Sequence, residues 1–480
     1  MEYGIHWFRR DLRVAGNEAL RYNCQKNKGK VVGLFVFDKK FLGRDDFSAN
    51  RFQFFLETMK SLKEELNSIG SDLLVMDEGP DEAFEKLFKG LDQKPNLVTF
   101  SRDYEPFAVK RDKRLEKFFE AEEVESKTFR DHLIIEPWEL TKKGSDTDGY
   151  QVYSPFSRMW RQIYGNKDIK ERVTSQSFSA KYYKGAKKKI FSMDWHDITK
   201  EKDHLDPYLK ENKKSVTVDI PEAGTLAALK SVKSFKERIN DYKNKRDIPS
   251  INGTSMLSYF FKNGSLTTAQ AIHFLDLENI SGLTTGEDGF LNELIWREFY
   301  YHILYRNPYV EKKAFKENYQ SLKWQNNKKW FEAWKDGKTG FPIVDAGMRQ
   351  LKTTGWMHNR VRMIVASFLV KDLLIDWRWG EEHFMKELLD GDLAPNNGGW
   401  QWAASTGCDA QPYFRIFNPW SQSKKFDPEG KYIKQYIPEL KNVETKKLHQ
   451  PIEDHTEYPS PIVDHSEQRN LALELFKSIK

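Results

Sequence analysis

Cysteine is nearly absent. Cys24 and Cys408 are the only two in 480 residues. Two thiols so far apart make neither a disulfide framework nor a thiolate metal cluster, so no metal site is expected and a reducing, cytoplasmic setting is. Long apolar runs are absent as well. No stretch of eighteen or more apolar residues occurs, which excludes a membrane-spanning helix. The start, Met1 to Trp7, has no basic segment followed by an apolar one, so no secretory signal is expected. There is no GxGxxG after the first strand-like segment, and thus no ordinary dinucleotide fingerprint. Internal repeats and long low-complexity tracts are missing. Neither sign of charge dominates: a net charge of +6 permits a local nucleic-acid patch without requiring one.

Aromatic residues, by contrast, are plentiful. There are 14 Trp, 20 Tyr and 33 Phe, and many of the tryptophans lie beyond residue 290, so ring chemistry is concentrated in the second half. The length exceeds what one hydrophobic core accommodates, and two or more domains are expected.

Residues 1–130 alternate between strand-like and helix-like segments. Tyr3 to Phe8, Val31 to Phe37, Asp72 to Met76 and Leu97 to Phe100 read as strands. Asn17 to Asn27, Ala49 to Ile69, Pro80 to Lys89 and Val109 to Glu122 read as helices. This spacing predicts an α/β domain with a doubly wound parallel sheet. Over 131–200 the pattern degrades. The polar run Lys142 to Asp146 and the basic cluster Lys181 to Lys189 suggest a long linker over the surface. Residues 201–480 show successive 3.6-period segments and no strands: Leu226 to Tyr242, Thr267 to Leu277, Gly289 to Tyr305, Lys328 to Trp334, Pro342 to Thr353, Asn359 to Ile375, Glu381 to Leu388 and Asn470 to Lys480. An all-helical domain is expected there.

Several constellations carry chemistry. Glu293, Trp296, Arg297 and Tyr300 stand at i, i+3, i+4 and i+7 and share one helix face, either solvated or lining a polar pocket. Arg360 and Arg362, beside Asn359 and Met363, need anionic partners if buried, and Asp390 and Asp392 are the candidates. His358 reads as a hydrogen-bonded structural histidine. Gly253 to Ser258 joins a glycine to three hydroxyls, a weak anion-site signal that equally suits a helix cap. The densest stretch is Gly391 to Trp402. If Gly398-Gly399 opens a helix, Trp400 and Trp402 lie about 200° apart at ~100° per residue. Trp7-Phe8-Arg9-Arg10-Asp11-Leu12-Arg13 by itself reads as a loop of mutually paired surface charges.

Taken together, these motifs resemble the cryptochrome/photolyase family. The match runs from Trp7–Arg13 onward and is densest from Glu293 through Leu440. It includes Gly340-Phe341-Pro342-Ile343-Val344-Asp345-Ala346, Gly355 to Met363, Gly391 to Trp402, and Phe414-Arg415-Ile416-Phe417-Asn418-Pro419. The resemblance implies an N-terminal antenna-binding domain, a linker, and a helical domain holding FAD, which works as FADH-. It further implies light-driven repair of cyclobutane pyrimidine dimers in DNA by electron transfer. The alternative is a blue-light receptor that repairs nothing. Asn359 and Met363 stand where (6-4) photolyases have two histidines. Asn396 stands where plant cryptochromes have Asp and animal ones Cys. Trp402 replaces the Tyr of plant and DASH cryptochromes. All three resemble class I dimer photolyases, and the chain carries no long tail beyond the core.

Roles follow from the resemblance residue by residue. Thr254, Ser255, Leu257 and Ser258 are implied to hold the FAD phosphates, with Tyr242 nearby. Met256 replaces a common Arg there. Arg362, Asp390, Asp392 and Asn396 are implied to contact the flavin. Glu293, Asn359, Met363, Trp296 and Trp402 line the lesion pocket, with Glu293 as a proton-donating acid kept neutral by desolvation. Trp400, Trp377 and Trp324 form an electron-hopping chain. Arg246, Arg297, Tyr300, Arg360, Arg415, Lys424 and Lys425 contact DNA. Glu105, in Tyr104-Glu105-Pro106, is implied to hold an antenna, methenyltetrahydrofolate or 8-hydroxy-deazaflavin. Val310-Glu311-Lys312 lacks the Cys-Lys pair of some folate-binding members. A monomer is expected.

Overall fold

A computed structural model describes residues 2–142, 144–145, 148–176, 192–452 and 457–479. The first part is a sheet of five parallel strands: β1 (Gly4–Phe8), β2 (Val31–Val36), β3 (Leu73–Met76), β4 (Leu97–Ser101) and β5 (Glu125–Phe129), ordered β3-β2-β1-β4-β5. Helices α1 (Glu18–Lys26), α2 (Ala49–Ser68), α3 (Pro80–Gly90) and α4 (Pro106–Ala121) connect them. Apolar clusters lie on both sides of the sheet, so β1 to β4 read as continuous apolar runs. The fifth strand was not expected. Its sequence, Glu-Ser-Lys-Thr-Phe, is polar and half-exposed because it forms the edge, where burial no longer selects apolar residues.

Two further helices, α5 (Tyr153–Tyr164) and α6 (Lys167–Thr174), lie where a linker without regular structure was expected. Phe156, Trp160 and Tyr164 recur every fourth residue and are buried, and the last two rings stack at 5.2 Å. That stripe is what folds α5 onto its neighbours. The Lys181 to Lys189 cluster, and Lys143 and Asp146 of the preceding polar run, fall outside the described residues.

The remainder is helical: α7 (Leu205–Asn212), α8 (Gly224–Lys236), α9 (Tyr242–Lys245), α10 (Ser258–Asn263), α11 (Thr268–Phe274), α12 (Thr285–Arg306), α13 (Lys328–Lys335) and α14 (Pro342–Thr354). Then follow α15 (Asn359–Ser367), α16 (Trp377–Glu387), α17 (Leu393–Ala403), α18 (Pro419–Phe426), α19 (Lys431–Tyr436) and α20 (His465–Lys477). Two expected helices are interrupted. Leu226 to Tyr242 breaks at a 3-10 turn, Ile239–Asp241, and Asn359 to Ile375 ends as a π-turn, Phe368–Asp372. The pair Gly398-Gly399 does not open a helix. It lies inside α17, which begins five residues before Gly398, behind Asp392. A Cβ at Gly398 would stand 2.0 Å from the Tyr300 ring, so glycine here lets α17 close on α12.

Much of the family signature is structural. The Trp7–Arg13 segment is no surface loop: Arg9, Asp11 and Arg13 are buried. Asp11 binds His6 and Ser101, Arg9 binds Asp112 and the Ser101 carbonyl, and Arg13 binds Asp131 and the Gly264 carbonyl. Buried charges survive only when paired in this way. Asp345 accepts from Thr339 N and Oγ1 (2.8 and 2.7 Å), Gly340 N (3.0 Å) and Tyr458 Oη, which ties the C-terminal segment to α14. Glu298 of α12, buried, accepts from the Ile134 and Ile135 amides and the Trp160 indole, fastening the segment after the sheet to the helical part.

Candidate active site

α12, α15, α16 and α17 enclose a cavity of about 470 Å³ between the two apolar clusters of the helical part. Helix periodicity brings Glu293, Trp296, Arg297 and Tyr300 of α12 to its wall, as their spacing required. Asn359, Arg360, Arg362 and Met363 enter from α15, and Asp390, Asp392, Asn396, Trp400 and Trp402 from the segment through α17. Ser258 reaches it from α10. Of the phosphate-binding group, Leu257 is buried in the core and Tyr242 packs edge-on against Phe235 and Phe290. Thr254 and Ser255 precede Met256, whose φ of +55° turns the chain into α10.

The ion pairs sort differently from the expected pattern. Arg362 donates to both oxygens of Asp390 (3.0 and 2.9 Å) and to the Met357 carbonyl (2.8 Å). Arg360, however, pairs with Asp247 at 2.9 Å, and its guanidinium covers the Phe426 ring. Asp392 is the centre of a junction between the two parts of the molecule. It accepts from Tyr301 Oη (2.7 and 2.8 Å), Arg10 (2.9 Å) and Lys262 (3.3 Å), with Arg297 at 3.8 Å. Burial opposes its charge, but Arg10, Lys262 and Arg297 together hold its carboxyl far below the usual carboxylate range.

Two of the expected contact residues are engaged within the protein. Arg297 is nearly buried and donates to the His132 and Phe261 carbonyls, so its guanidinium is spent inside the junction and not offered to a phosphate. Glu105 accepts from Arg10 at 2.6 Å and faces Lys262 at 3.9 Å, so its carboxylate already has cationic partners. Glu293, about a third exposed, accepts from Arg246. His358 is structural, its Nδ1 accepting from Arg360 N at the start of α15.

Asn396 donates through Nδ2 to the Glu381 carbonyl at 3.1 Å. A carbonyl only accepts, so the amide nitrogen must face it and Oδ1 remains the acceptor of this cavity-lining residue. Glu381 itself takes Asn397 Nδ2 at 3.0 Å, and burial pushes its carboxyl up to about 8. The folded state thus keeps a proton that the unfolded chain releases near pH 4.5. The stability this contributes is complete below that pH and falls as pH rises to about 8, by about 1.4 kcal/mol per unit at most. Glu381→Gln is expected to flatten this decline. Its gain in melting temperature over the parent should grow from pH 5 to pH 8.5, and parallel pH curves would contradict the assignment.

Trp400 and Trp377 belong to one apolar cluster, and Trp324 packs against it. Trp400 is buried and meets Phe384 edge-on at 4.9 Å. It also packs on Gly380, where a Cβ would come within 2.2 Å of its ring. Trp377, buried, lies one turn before Gly380 on α16. Beside it, Gln325 N bonds the Leu374 carbonyl at 2.9 Å, which draws in the neighbouring Trp324, partly exposed against Phe476. Arg415, Lys424 and Lys425 are exposed around Phe414 and α18. The sequence reading missed Arg10, Tyr301, Asp247 and Glu381. The first two lie inside or beside recognised motifs, while the others carry no local signal.

A flavin fits what is present. The volume suits a cofactor, the wall sets aromatic and apolar faces beside charged and amide side chains, and a Cβ at Gly399 would meet nothing within 4 Å. Comparison with known proteins agrees. Residues 4–174 match the DNA photolyase family, and residues 290–478 match the FAD binding domain of DNA photolyase. A deoxyribodipyrimidine photo-lyase of Buchnera aphidicola is 37% identical over 503 residues, covering 100% of this chain and 98% of that protein. An archaeal photolyase from Sulfolobus tokodaii, solved with two FAD molecules, is 31% identical with TM-score 0.82 and full coverage of both chains. A cryptochrome from Synechocystis is 25% identical with TM-score 0.85, covering 99% of each. With its parallel sheet, its helical FAD-binding domain and relatives matched along its whole length, the chain belongs to the DNA photolyase family.

Proposed function

We propose that this protein repairs cyclobutane pyrimidine dimers in DNA, using light absorbed by reduced FAD. The observation that carries this reading is one cavity with two kinds of wall. Arg362, Asp390 and Asn396 line it with groups suited to a flavin, and Trp296, Trp402, Asn359, Met363 and Glu293 line it with groups suited to an extruded pyrimidine dimer. Bound there, FAD supplies light absorption and one-electron chemistry.

The residues of this chain supply position and electrostatics. Arg362 and Asp390 neutralise each other, so the pair adds no net charge beside an anionic reduced ring. Asn396 Oδ1 would be free to accept from an N–H of a bound flavin, where an Asp would repel an anionic ring. Trp296 and Trp402 exclude water and offer apolar faces to stacked pyrimidines. Glu293 and Asn359 meet the dimer's polar edge, and a DNA phosphate competes with Glu293 for Arg246. Trp400, Trp377 and Trp324 would offer an oxidisable path from the surface toward a bound FAD. Arg246, Arg360, Arg415, Lys424 and Lys425 form the phosphate-binding rim.

We assign a second chromophore to the crevice at the carboxyl ends of β1, β2 and β4, where doubly wound sheets bind ligands. Phe41 and Phe107 are exposed there, 5.8 Å apart edge-on, with Arg44 and Arg111 over their rings and Glu105 at the start of α4. An absorption spectrum of the purified protein distinguishes methenyltetrahydrofolate from 8-hydroxy-deazaflavin.

The test is illumination of the reduced protein with DNA carrying cyclobutane dimers, scored as restored thymines. Absence of repair would sink the reading and favour a light receptor. Glu293→Ala should lower repair yield while leaving FAD content close to the parent; the reverse outcome would make Glu293 a cofactor residue.

A further inference from the structure

The lesion-side tryptophan Trp296 does not stand alone. Behind it lies Tyr153, the first residue of α5, with ring centroids 3.6 Å apart and planes 4° from parallel. The Tyr153 hydroxyl donates to Asn292, at the backbone oxygen (3.0 Å) and Oδ1 (3.1 Å). Asn292 sits one turn before Trp296 on α12, so ring and hydroxyl grip the same helix at two points. Asn292 is itself held, its Nδ2 donating to the Asp288 carbonyl (2.9 Å) and Oδ2 (3.0 Å), while Arg161 donates to its Oδ1 at 3.2 Å. The Tyr153 amide donates to Asp409 Oδ2 at 2.9 Å. Asp409 lies in the loop after α17, the helix that carries Trp402. Trp296 also meets Phe299 edge-on at 5.5 Å and the cavity-lining Tyr300, tilted 31° at 5.6 Å. Tyr153 is not among the residues lining the cavity.

We propose that Tyr153 is a positioning residue for dimer recognition: it fixes the plane of the Trp296 indole, and ties that wall to the loop following the Trp402 wall, before DNA arrives. The inference rests on the dimer-repair reading above. A half-buried indole without this backing would sample several rotamers, and binding a flat lesion would then include ordering it. Parallel stacking holds the ring in one orientation without occupying the cavity, and the hydroxyl bond to Asn292 fixes the tyrosine's own rotation.

The experiment uses the FAD-loaded protein and two DNA duplexes, one with a single cyclobutane dimer and one undamaged. Tyr153→Leu is expected to weaken dimer binding roughly two- to tenfold, the size of a lost aromatic pair. Affinity for undamaged DNA, FAD content and repair yield per bound dimer should stay at parent values. Tyr153→Phe keeps the ring and should lose less than half as much. In a Trp296→Ala background the Tyr153→Leu effect should vanish, because the tyrosine acts through that indole. Equal loss for damaged and undamaged DNA, an undiminished effect in the Trp296→Ala background, or parent-like dimer binding by Tyr153→Leu would each overturn the proposal. Should Tyr153→Leu lose FAD, Tyr153→Met and the Phe variant are read by the same outcomes. A parent protein that does not prefer dimer DNA would instead refute the repair reading, and the two failures are therefore separable.

Discussion

Replacing Trp377 with phenylalanine is expected to abolish photoreduction of the oxidised flavin while leaving dimer repair intact once the flavin is reduced chemically. The proposed relay is in series, so its middle member cannot be bypassed without a longer hop. Trp377 is buried at the start of α16, one turn from the glycine on which Trp400 rests, and the chain beside its turn carries Trp324 to the surface. Phenylalanine retains an apolar ring in the same cluster, so the fold has little reason to change, yet a phenyl ring is far harder to oxidise than an indole. Repair uses a flavin that is already reduced and makes no demand on the relay. Absorbance changes under blue light with an external reductant measure the first quantity, and thymine recovery after dithionite treatment measures the second. Equal loss of both would remove the hopping role and leave Trp377 as packing.

The second large effect concerns the junction between the sheet and the cavity. Arg10→Ala is expected to destabilise the protein by about 3–5 kcal/mol, the range for removing one partner of a buried ion pair. Arg10 is 13% exposed and is shared by Glu105 (2.6 Å), Asp392 (2.9 Å) and Asp103 (3.8 Å), with Tyr301 also accepting from it. Without it Glu105 and Asp392 face Lys262, with Arg297 more distant from Asp392, while Asp103 keeps the weaker influence of Arg9 and Arg111. Asp392, the residue before α17, would lose the strongest of its charge partners. Its depressed carboxyl contributes stability that is fully present above the ordinary aspartate range and lost only as pH falls well below it. In the variant this contribution should be smaller, and its loss should be complete at a higher pH. Arg10→Lys should recover part of the stability, since an ammonium cannot fork between two carboxylates. Urea unfolding and FAD retention on gel filtration read the result. A change below about 1 kcal/mol, the value of an exposed pair, would mean the junction is solvated and does not position α17.

The legibility of the site followed the reach of sequence periodicity. The α12 face of Glu293, Trp296, Arg297 and Tyr300 was readable because residues three and four apart must share a helix side. Burial demanded anions for Arg360 and Arg362 and pointed to Asp390 and Asp392 without pairing them, and Arg362 takes Asp390. Arg360 was given the wrong candidates by the same logic: Asp247 lies 113 positions away, with nothing in its surroundings to mark it. Arg297 shows the limit of the face argument. It shares the helix side of Glu293, but the Arg10 junction, built from the other end of the chain, takes its guanidinium. The fifth strand escaped notice because an edge position removes the apolar signal on which strand reading depends.

By itself the sequence determined the alternation that makes a parallel sheet, the helical second half, and the residue types in the motifs from Glu293 to Trp402. These are local properties, set by backbone geometry and side-chain period. Tertiary structure alone decided that Glu293 faces Arg246, that Asp392 is held by Arg10, that Asn396 presents an oxygen, and that Tyr153 lies flat behind Trp296. Each of these pairings joins residues from different helices or different parts of the chain. Spacing along the backbone cannot specify them, because packing of whole elements brings the partners within reach.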